Sequence, residues 1–198
     1  MKQEIYDEVH KGVDAHEASN KERAEKELQH NTELIYGEVV FMYFIPILEY
    51  AKPKLGEIFW DLGCGAGKPL ITASLAFPEL KVCRGIELLE KLADLAEEIA
   101  VNTKRQCEEK QSKCAPIEII KGDILKYDWF DADIVFIAAV CFPEPLLAGI
   151  ADLCENLKKG TRVISLKELP KKSYFEEYAN IKAKYSWGTQ ITYYYLVV

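Results

Sequence analysis

The chain has 198 residues, a length that is ordinary for one α/β domain and short for two. Hydrophobic residues make up 49% and charged residues 29%, which excludes a disordered chain and allows a substantial core under a polar surface. The formal net charge of −7 argues against strong intrinsic binding of nucleic acid, which depends on neutralising phosphates, and suits a basic partner.

Other site classes are also disfavoured by composition. The six cysteines contain no C-x-x-C pair, so we expect free thiols, no disulfides and no metal site. No run of 18 apolar residues and no secretory signal appear, so we expect no membrane association. All three histidines, His10, His16 and His30, precede the predicted sheet, so none is expected as a general base from the sheet itself.

Residues 1–35 are dense in charge, with more acids than bases. Ile5, Val9 and Val13 lie four apart, which predicts one narrow apolar stripe along a helix. We therefore predict two parts, a charged helical arm over 1–35 and a main domain over 36–198. The arm either packs on the domain as a solvated helix or serves as a lid facing the substrate.

An apolar helix is predicted to open at Tyr36 and to run to residue 48, with Pro46 kinking or interrupting it. A buried strand over 58–60 then breaks into a glycine turn, and a helix follows over 68–77. The turn carries three glycines at alternate positions: Gly63, Gly65 and Gly67.

Such a strand, turn and helix form a nucleoside-cofactor cradle in doubly wound α/β sheets. Leu62 and Pro69 stand where a phosphate-binding P-loop needs glycine and a hydroxyl residue. The G-x-G-x-G spacing also departs from the dinucleotide fingerprint, which is G-x-G-x-x-G. Asp61, two residues before the first glycine, would repel a pyrophosphate and attract an ammonium or sulfonium.

Two further strands each end in an acid. The strand predicted over 81–86 is followed by Glu87, at a distance from the glycine turn where α/β nucleotide-binding proteins place a carboxylate for ribose hydroxyls. The strand over 116–120 is followed by Gly122 and Asp123. Taken singly, each acid is more commonly a helix cap or a turn residue.

The rest of the chain continues the alternation of helices and strands. A long helix is predicted over 88–113, and its polar end, 104–113, is expected to protrude. Strands are predicted over 132–139 and 161–166, with a helix between them. Residues 185–198 predict two antiparallel strands joined near Gly188.

The order of these motifs resembles the catalytic core of the disruptor-of-telomeric-silencing family, the non-SET lysine methyltransferases that modify the globular part of a core histone. The resemblance covers roughly residues 34–197. Its specific parts are the Tyr-Gly-Glu segment at 36–38 and the tail with Trp187 and two tyrosines at 193–194. It implies a Rossmann-like class I methyltransferase fold, with a mostly parallel seven-stranded sheet, an antiparallel C-terminal edge, and helices on both faces.

The resemblance also implies a site for S-adenosylmethionine. The segment that would fold over this cofactor consists of Tyr36, Gly37, Glu38 and Val39. The methionine part of the cofactor would be held within the glycine turn by Asp61 and Gly63. Glu87 would accept hydrogen bonds from the ribose hydroxyls, and Asp123 with Ile124 would lie along the adenine. Lys68 stands where the family usually has glutamine, which adds a charge at the pocket edge.

Methyl transfer from a sulfonium requires alignment and a dry channel more than a nucleophile. Aromatic walls without an acid partner would lower the pKa of an acceptor lysine, which is about 10.4 in water, and so help it to lose its proton. The candidates for these walls are Tyr193, Phe142 and Trp187, and each is equally well explained as a core aromatic of the sheet edge.

One departure from the family affects the acceptor side. After the fourth strand the family has two asparagines that orient the acceptor and the cofactor, and here the matching residues are Ala138 and Ala139. The favoured function is histone-lysine methylation by a nuclear chromatin regulator, with the cytoplasm as the alternative location. A methyltransferase with another protein or small-molecule acceptor, and a non-catalytic scaffold that binds the cofactor, stay open.

Overall fold

The apolar runs of the chain pair into one sheet of seven strands. The computed structural model describes residues 1–31, 34 and 37–198. The strands lie in the order β3-β2-β1-β4-β5-β7-β6, and their bounds are β1 Ile58–Leu62, β2 Val82–Glu87, β3 Ile117–Lys121, β4 Ile134–Ile137, β5 Arg162–Ser165, β6 Phe175–Tyr185 and β7 Gly188–Val197.

The first five strands are parallel, and β7 and β6 add an antiparallel edge. After β1 the chain builds outward through β2 and β3, and it then returns to place β4 on the other side of β1. The strand order therefore reverses between β1 and β4, and ligands of open α/β sheets bind beyond the carboxyl ends of the strands at such a point. The predicted parallel sheet and its antiparallel C-terminal edge are confirmed.

Six α-helices belong to the described part of the chain: α1 Lys2–Val9, α2 Ala15–Glu25, α3 Phe41–Tyr50, α4 Lys68–Ala76, α5 Glu90–Glu109 and α6 Glu144–Leu153. Strand β4 explains why the sheet needs helices on both faces. Its four residues are fully buried, with Val135 and Ile137 on the side of α6 and Ile134 and Phe136 on the side of α3 and α4. A strand covered on both faces reads as an unbroken apolar run.

One local prediction around α3 is wrong: the helix begins at Phe41, and residues 37–40 before it are not helical. Pro46 lies inside the helix without interrupting it, and a kink there stays a prediction. Proline removes one helical hydrogen bond. Phe44, Ile47 and Leu48 are fully buried in the core, and this packing outweighs the lost bond.

The N-terminal helices pack on the domain. Ile5 and Val9 of α1 are buried, and α1 contacts α3, α4 and α5. The predicted protrusion of 104–113 is wrong because α1 covers that end of α5, where Cys107 is buried and Lys110 forms an ion pair with Glu4 at 2.8 Å. The hydrophobic pattern of 88–113 did not predict this contact because the helix that covers Cys107, α1, comes from the far end of the chain. The division at residue 35 stays a prediction.

Helix α2 supports the start of α5. The carboxylate of Glu22 accepts hydrogen bonds from the backbone N–H groups of Glu90 (2.9 Å) and Lys91 (2.7 Å). A carboxylate at a helix N-terminus satisfies free N–H groups and complements the helix dipole. In the described residues, no helix is both long and apolar enough to cross a membrane.

Candidate active site

The glycine turn after β1 has the backbone conformation that only glycine adopts easily. Gly63, Gly65 and Gly67 have φ values of 84°, 55° and 82°. Space is also limited, since a Cβ on Gly63 would lie 3.1 Å from the ring of Phe142. The turn thus brings bare backbone to the carboxyl end of β1, and Gly67 directly precedes α4.

A cavity of about 640 Å³ opens over this turn. Its walls come from the carboxyl ends of four strands, the segment before α3 and the tip of the β6–β7 hairpin. Most of the predicted site residues line it: Gly37, Glu38, Val39, Gly63, Gly65, Lys68, Glu87, Asp123, Ile124, Phe142 and Trp187. The topology therefore brings together residues that lie up to 150 positions apart in the chain.

Glu87 is nearly inaccessible and braces the glycine turn. One carboxylate oxygen accepts the N–H of Gly65 at 2.7 Å, and the other accepts the N–H of Leu89 at 2.8 Å. Burial raises the pKa of Glu87, and the backbone donors oppose that shift. A carboxylate has about four lone-pair directions, so Glu87 retains capacity for ligand hydroxyls at the cavity.

Asp61 lies directly behind the cavity wall. Its carboxyl group is fully buried, and neither oxygen has a hydrogen-bond partner in the described structure. Burial raises the pKa of Asp61 well above its usual range, and the charge of Glu87 adds to this effect. An unpartnered buried carboxylate is costly, so the site is prepared for a cationic or hydrogen-bond-donating group. This observation fits the ammonium and sulfonium of S-adenosylmethionine.

The segment at 37–40 is held over the cavity from two sides. Glu38 forms an ion pair with Lys68, with 2.5 Å between Oε2 and Nζ, and its backbone oxygen accepts the hydroxyl of Ser186 at 2.6 Å. The ring of Trp187 lies against Gly37, where a Cβ would be 3.4 Å away. The charge that Lys68 adds is therefore paired with Glu38. Tyr36, which was also predicted to fold over the cofactor, lies outside the described residues.

Asp123 also has a local structural role. It accepts the N–H of Leu125 at 3.0 Å and pairs with Lys126 at 3.3 Å. The turn interpretation and the cofactor interpretation are therefore compatible for this residue, because it lines the cavity as well.

The side of the cavity that was predicted to face the methyl acceptor includes the short helical turn after β4. Ala138 lines the cavity, and Ala139–Cys141 form a single 3₁₀ turn that leads to Phe142. The backbone oxygen of Phe142 accepts a hydrogen bond from the ammonium group of Lys167 at 2.8 Å, and this bond anchors the turn to the segment just after β5.

Three predicted residues do not line the cavity. Asp61 is behind its wall, Gly67 begins α4, and Tyr193 lies on β7 opposite Ser165 and packs against the core cluster beside α6. Sequence reasoning in turn missed apolar liners that include Leu88, Leu89, Leu92 and Val140. The apolar run after Glu87 was a signal for three of them, but it was interpreted only as a helix face.

Within residues 1–31, 34 and 37–198, no group of three His, Cys, Asp or Glu side chains is placed to hold a metal ion. The six cysteines are free. The described cavity has carboxylates, a glycine turn and aromatic rings among the residues that form it.

Similar proteins were found by sequence and by structure. A Kluyveromyces lactis protein named histone-lysine N-methyltransferase, H3 lysine-79 specific, is 26% identical over 150 residues, which is 73% of this chain and 26% of that protein. The Caenorhabditis elegans protein of the same name is 30% identical over 140 residues, 68% of this chain and 15% of its own length. The chain thus spans only a minor part of these relatives.

A solved structure of magnesium protoporphyrin IX methyltransferase from Synechocystis with bound S-adenosylmethionine aligns with a TM-score of 0.58 and 12% identity. The alignment covers 98% of this chain and 90% of that one, and it supports the class I methyltransferase fold. The pattern of the family described as "Histone methylation protein DOT1" matches residues 17–197. Because this match includes nearly the whole sheet domain and its cavity, the chain belongs to that family.

Proposed function

We propose that this chain is an S-adenosylmethionine-dependent protein-lysine N-methyltransferase that acts on a core histone. One observation carries the proposal: the unpartnered, fully buried carboxyl of Asp61 behind a glycine turn, in a chain of this family. A phosphate ligand would be repelled there. A ligand with cationic sulfur and nitrogen would supply the missing partner.

S-adenosylmethionine, when bound, supplies a methyl group on a positively charged sulfur. In our proposal Asp61 and the glycine turn bind its methionine part, and Glu87 accepts hydrogen bonds from its ribose hydroxyls. Asp123 and Ile124 lie along the adenine, and Lys68 lies at the edge of the pocket. The segment that begins at Tyr36 closes over the pocket and excludes water.

The acceptor lysine must arrive without its proton. Phe142 and Trp187 line the cavity and offer it apolar walls, which favour the neutral amine. We propose Tyr193 as a third wall because it packs against the same core cluster as Phe142, although it does not line the cavity itself. These groups align and desolvate the amine, and none of them acts as a nucleophile.

A core histone is proposed as the substrate because the named relatives are histone H3 lysine-79 methyltransferases and because the chain has a net charge of −7. Opposite charges favour the encounter of an acidic enzyme with a basic substrate. The proposal includes a role in chromatin regulation and a nuclear location.

Ala138 favours a second candidate, a methyltransferase with a different acceptor. It lines the cavity where the resemblance predicts an amide, so the described acceptor side lacks that hydrogen-bonding group.

Labelled S-adenosylmethionine tests both candidates. The protein is incubated with free core histones, with nucleosomes and with non-histone extracts, and the modified residue is identified by mass spectrometry. Label on a histone lysine supports the first candidate, and label only on other acceptors supports the second. Binding of the cofactor without any transfer refutes both and supports a scaffold. An Asp61→Asn variant serves as a control that should transfer less label to every acceptor when the cofactor concentration is not saturating.

A further inference from the structure

Strand β6 is an open edge of the sheet. It comes last in the strand order, and in the described part of the chain no strand pairs with its outer side. It is also long, with 11 residues, whereas native proteins commonly keep edge strands short or cover them. Alternate backbone N–H and C=O groups of β6 therefore point outward without a strand partner, and such a row is a template for pairing with another chain.

The charges of β6 are divided between its two ends. The first half of the strand carries Glu176 and Glu177, and the second half carries Lys182 and Lys184, all of them exposed. Neither Glu177 nor Lys182 forms an ion pair with another residue that the structure describes. The strand therefore presents an acidic half and a basic half along the same open edge.

Three polar side chains of β6 share one face of the sheet. The side-chain amide of Asn180 donates a hydrogen bond to the carboxylate of Glu177 at 2.7 Å, so these two side chains lie on the same side. Side chains alternate along a strand, so Lys182, two residues after Asn180, lies on this side as well. Glu177 and Asn180 are an odd number of residues apart because the register shifts between Glu177 and Ala179, where Tyr178 is the extra residue of a bulge.

We propose that β6 is a dimerisation surface, which pairs antiparallel with β6 of a second copy of this chain about a two-fold axis at Asn180. A two-fold axis gives the same contacts in both copies. With Tyr178 left out of the pairing, Glu177 and Lys182 are equally far from Asn180 along the strand. The axis therefore places Glu177 of each copy directly opposite Lys182 of the partner subunit, and the two sheets become one continuous sheet.

The charge pattern is the reason that a second copy fits this edge. Lysines on an edge strand usually hinder pairing with other chains. In an antiparallel pair of β6 strands this hindrance is removed, because the acidic half of one strand faces the basic half of the other. A parallel pair would place acids opposite acids and lysines opposite lysines, and like charges directly opposite each other are destabilising.

The inference is independent of the methyl-transfer proposal. No residue of β6 belongs to the described lining of the cavity, so the pairing concerns the outer edge of the sheet and not the cofactor site. A failure of either proposal leaves the other unaffected.

Charge reversal with rescue tests the pairing. Analytical ultracentrifugation of the full chain measures the dimerisation constant of the parent, of Glu177→Lys, of Lys182→Glu and of the variant that carries both changes. Each single reversal creates two like-charge pairs across the axis, and the double variant restores two opposite-charge pairs. Glu98→Lys and Lys104→Glu are the matched controls, because they make the same changes of net charge at exposed positions of α5.

We expect the parent to dimerise as its concentration rises. Each single reversal should weaken dimerisation roughly tenfold, because two cross-strand charge pairs change from attraction to repulsion. The double variant should recover most of this loss, and the α5 controls should dimerise like the parent. All the substituted side chains are exposed, so the variants should stay folded, which thermal unfolding verifies.

A parent protein that stays monomeric at the highest concentration that remains in solution would overturn the inference. Single reversals that weaken dimerisation no more than the α5 controls would also overturn it, since the contact would then lie elsewhere on the surface. A double variant in which the two losses add, instead of cancelling, would rule out the placement of Glu177 opposite Lys182.

Discussion

Replacing Asp61 with asparagine tests the central feature of the site. The side chain keeps its shape and loses its charge. In the cofactor-free protein the carboxyl group of Asp61 is fully buried and has no hydrogen-bond partner in the part of the chain that the structure describes, and burial raises its pKa. Above the raised pKa, where the carboxyl is ionised, removing this uncompensated buried charge should stabilise the cofactor-free state by about 1–3 kcal/mol. For a chain of this size each kcal/mol raises Tm by about 2–4 °C, so an increase of several degrees is expected.

Binding should change in the opposite direction. The variant loses a charged partner for the ammonium and sulfonium, which is worth about 1.5–3 kcal/mol, or roughly ten- to a hundredfold in the affinity for S-adenosylmethionine. Thermal unfolding with and without the cofactor, together with titration calorimetry, measures both effects. Asp152→Asn is the control, because Asp152 is an exposed partner of Lys172 and neither quantity should change.

The pH dependence of the folding stability tests the role of Asp61 independently. The folded pKa of Asp61 lies above the unfolded value of about 3.9, so the folded protein binds more protons between these two values. Cofactor-free stability should therefore fall as pH rises from about 4 through the raised pKa, and the fall should be shallower in Asp61→Asn. A variant that is less stable without cofactor, or that binds it as tightly as the parent, would refute the reasoning.

Three further substitutions probe other parts of the site. Glu87→Gln can accept only one of the two backbone N–H bonds, so we expect about tenfold weaker cofactor binding in calorimetry; unchanged affinity would show that the ribose lies elsewhere. Gly63→Ala places a Cβ 3.1 Å from Phe142 at a φ of 84°, and should lower the free energy of unfolding in urea by about 1–2 kcal/mol. Tyr193→Phe should slow single-turnover methyl transfer and leave cofactor affinity unchanged, and a parallel loss of both would contradict its place in the acceptor channel.

Much of the fold follows from local pattern. A short apolar run that ends in an acid and glycines predicts a buried strand and a tight turn, because glycine takes the left-handed conformations seen at Gly63, Gly65 and Gly67 more easily than other residues. The alternating tail predicted two strands within 185–198 joined near Gly188; the structure has a hairpin turn there, but the first strand is Phe175–Tyr185, before the predicted range, and 185–198 holds mainly the second strand. The turns depend on neighbouring residues, so the sequence is informative about them, whereas it gave no signal for most of β6.

Features that depend on contacts between segments far apart in the chain were harder to predict from the sequence. The pattern of α5 indicated a free polar end, whereas α1 covers it. The histidines were set aside because they precede the sheet, yet the ring of His10 packs 4.3 Å from that of Tyr6, at the end of a helix that contacts α3, α4 and α5. Periodicity shows which face of a helix is apolar, but not which other helix will meet that face.

The sequence by itself determined the parallel sheet, its glycine turn and the acids at the strand ends, since backbone sterics and strand burial act over a few residues. Only the tertiary structure decided that Asp61 has no hydrogen-bond partner among the described residues, that both oxygens of Glu87 accept backbone N–H groups, and that Tyr193 packs outside the cavity lining. Hydrogen-bond partners and side-chain surroundings depend on strand register and on packing between segments far apart in the chain, and these are set when the whole core closes.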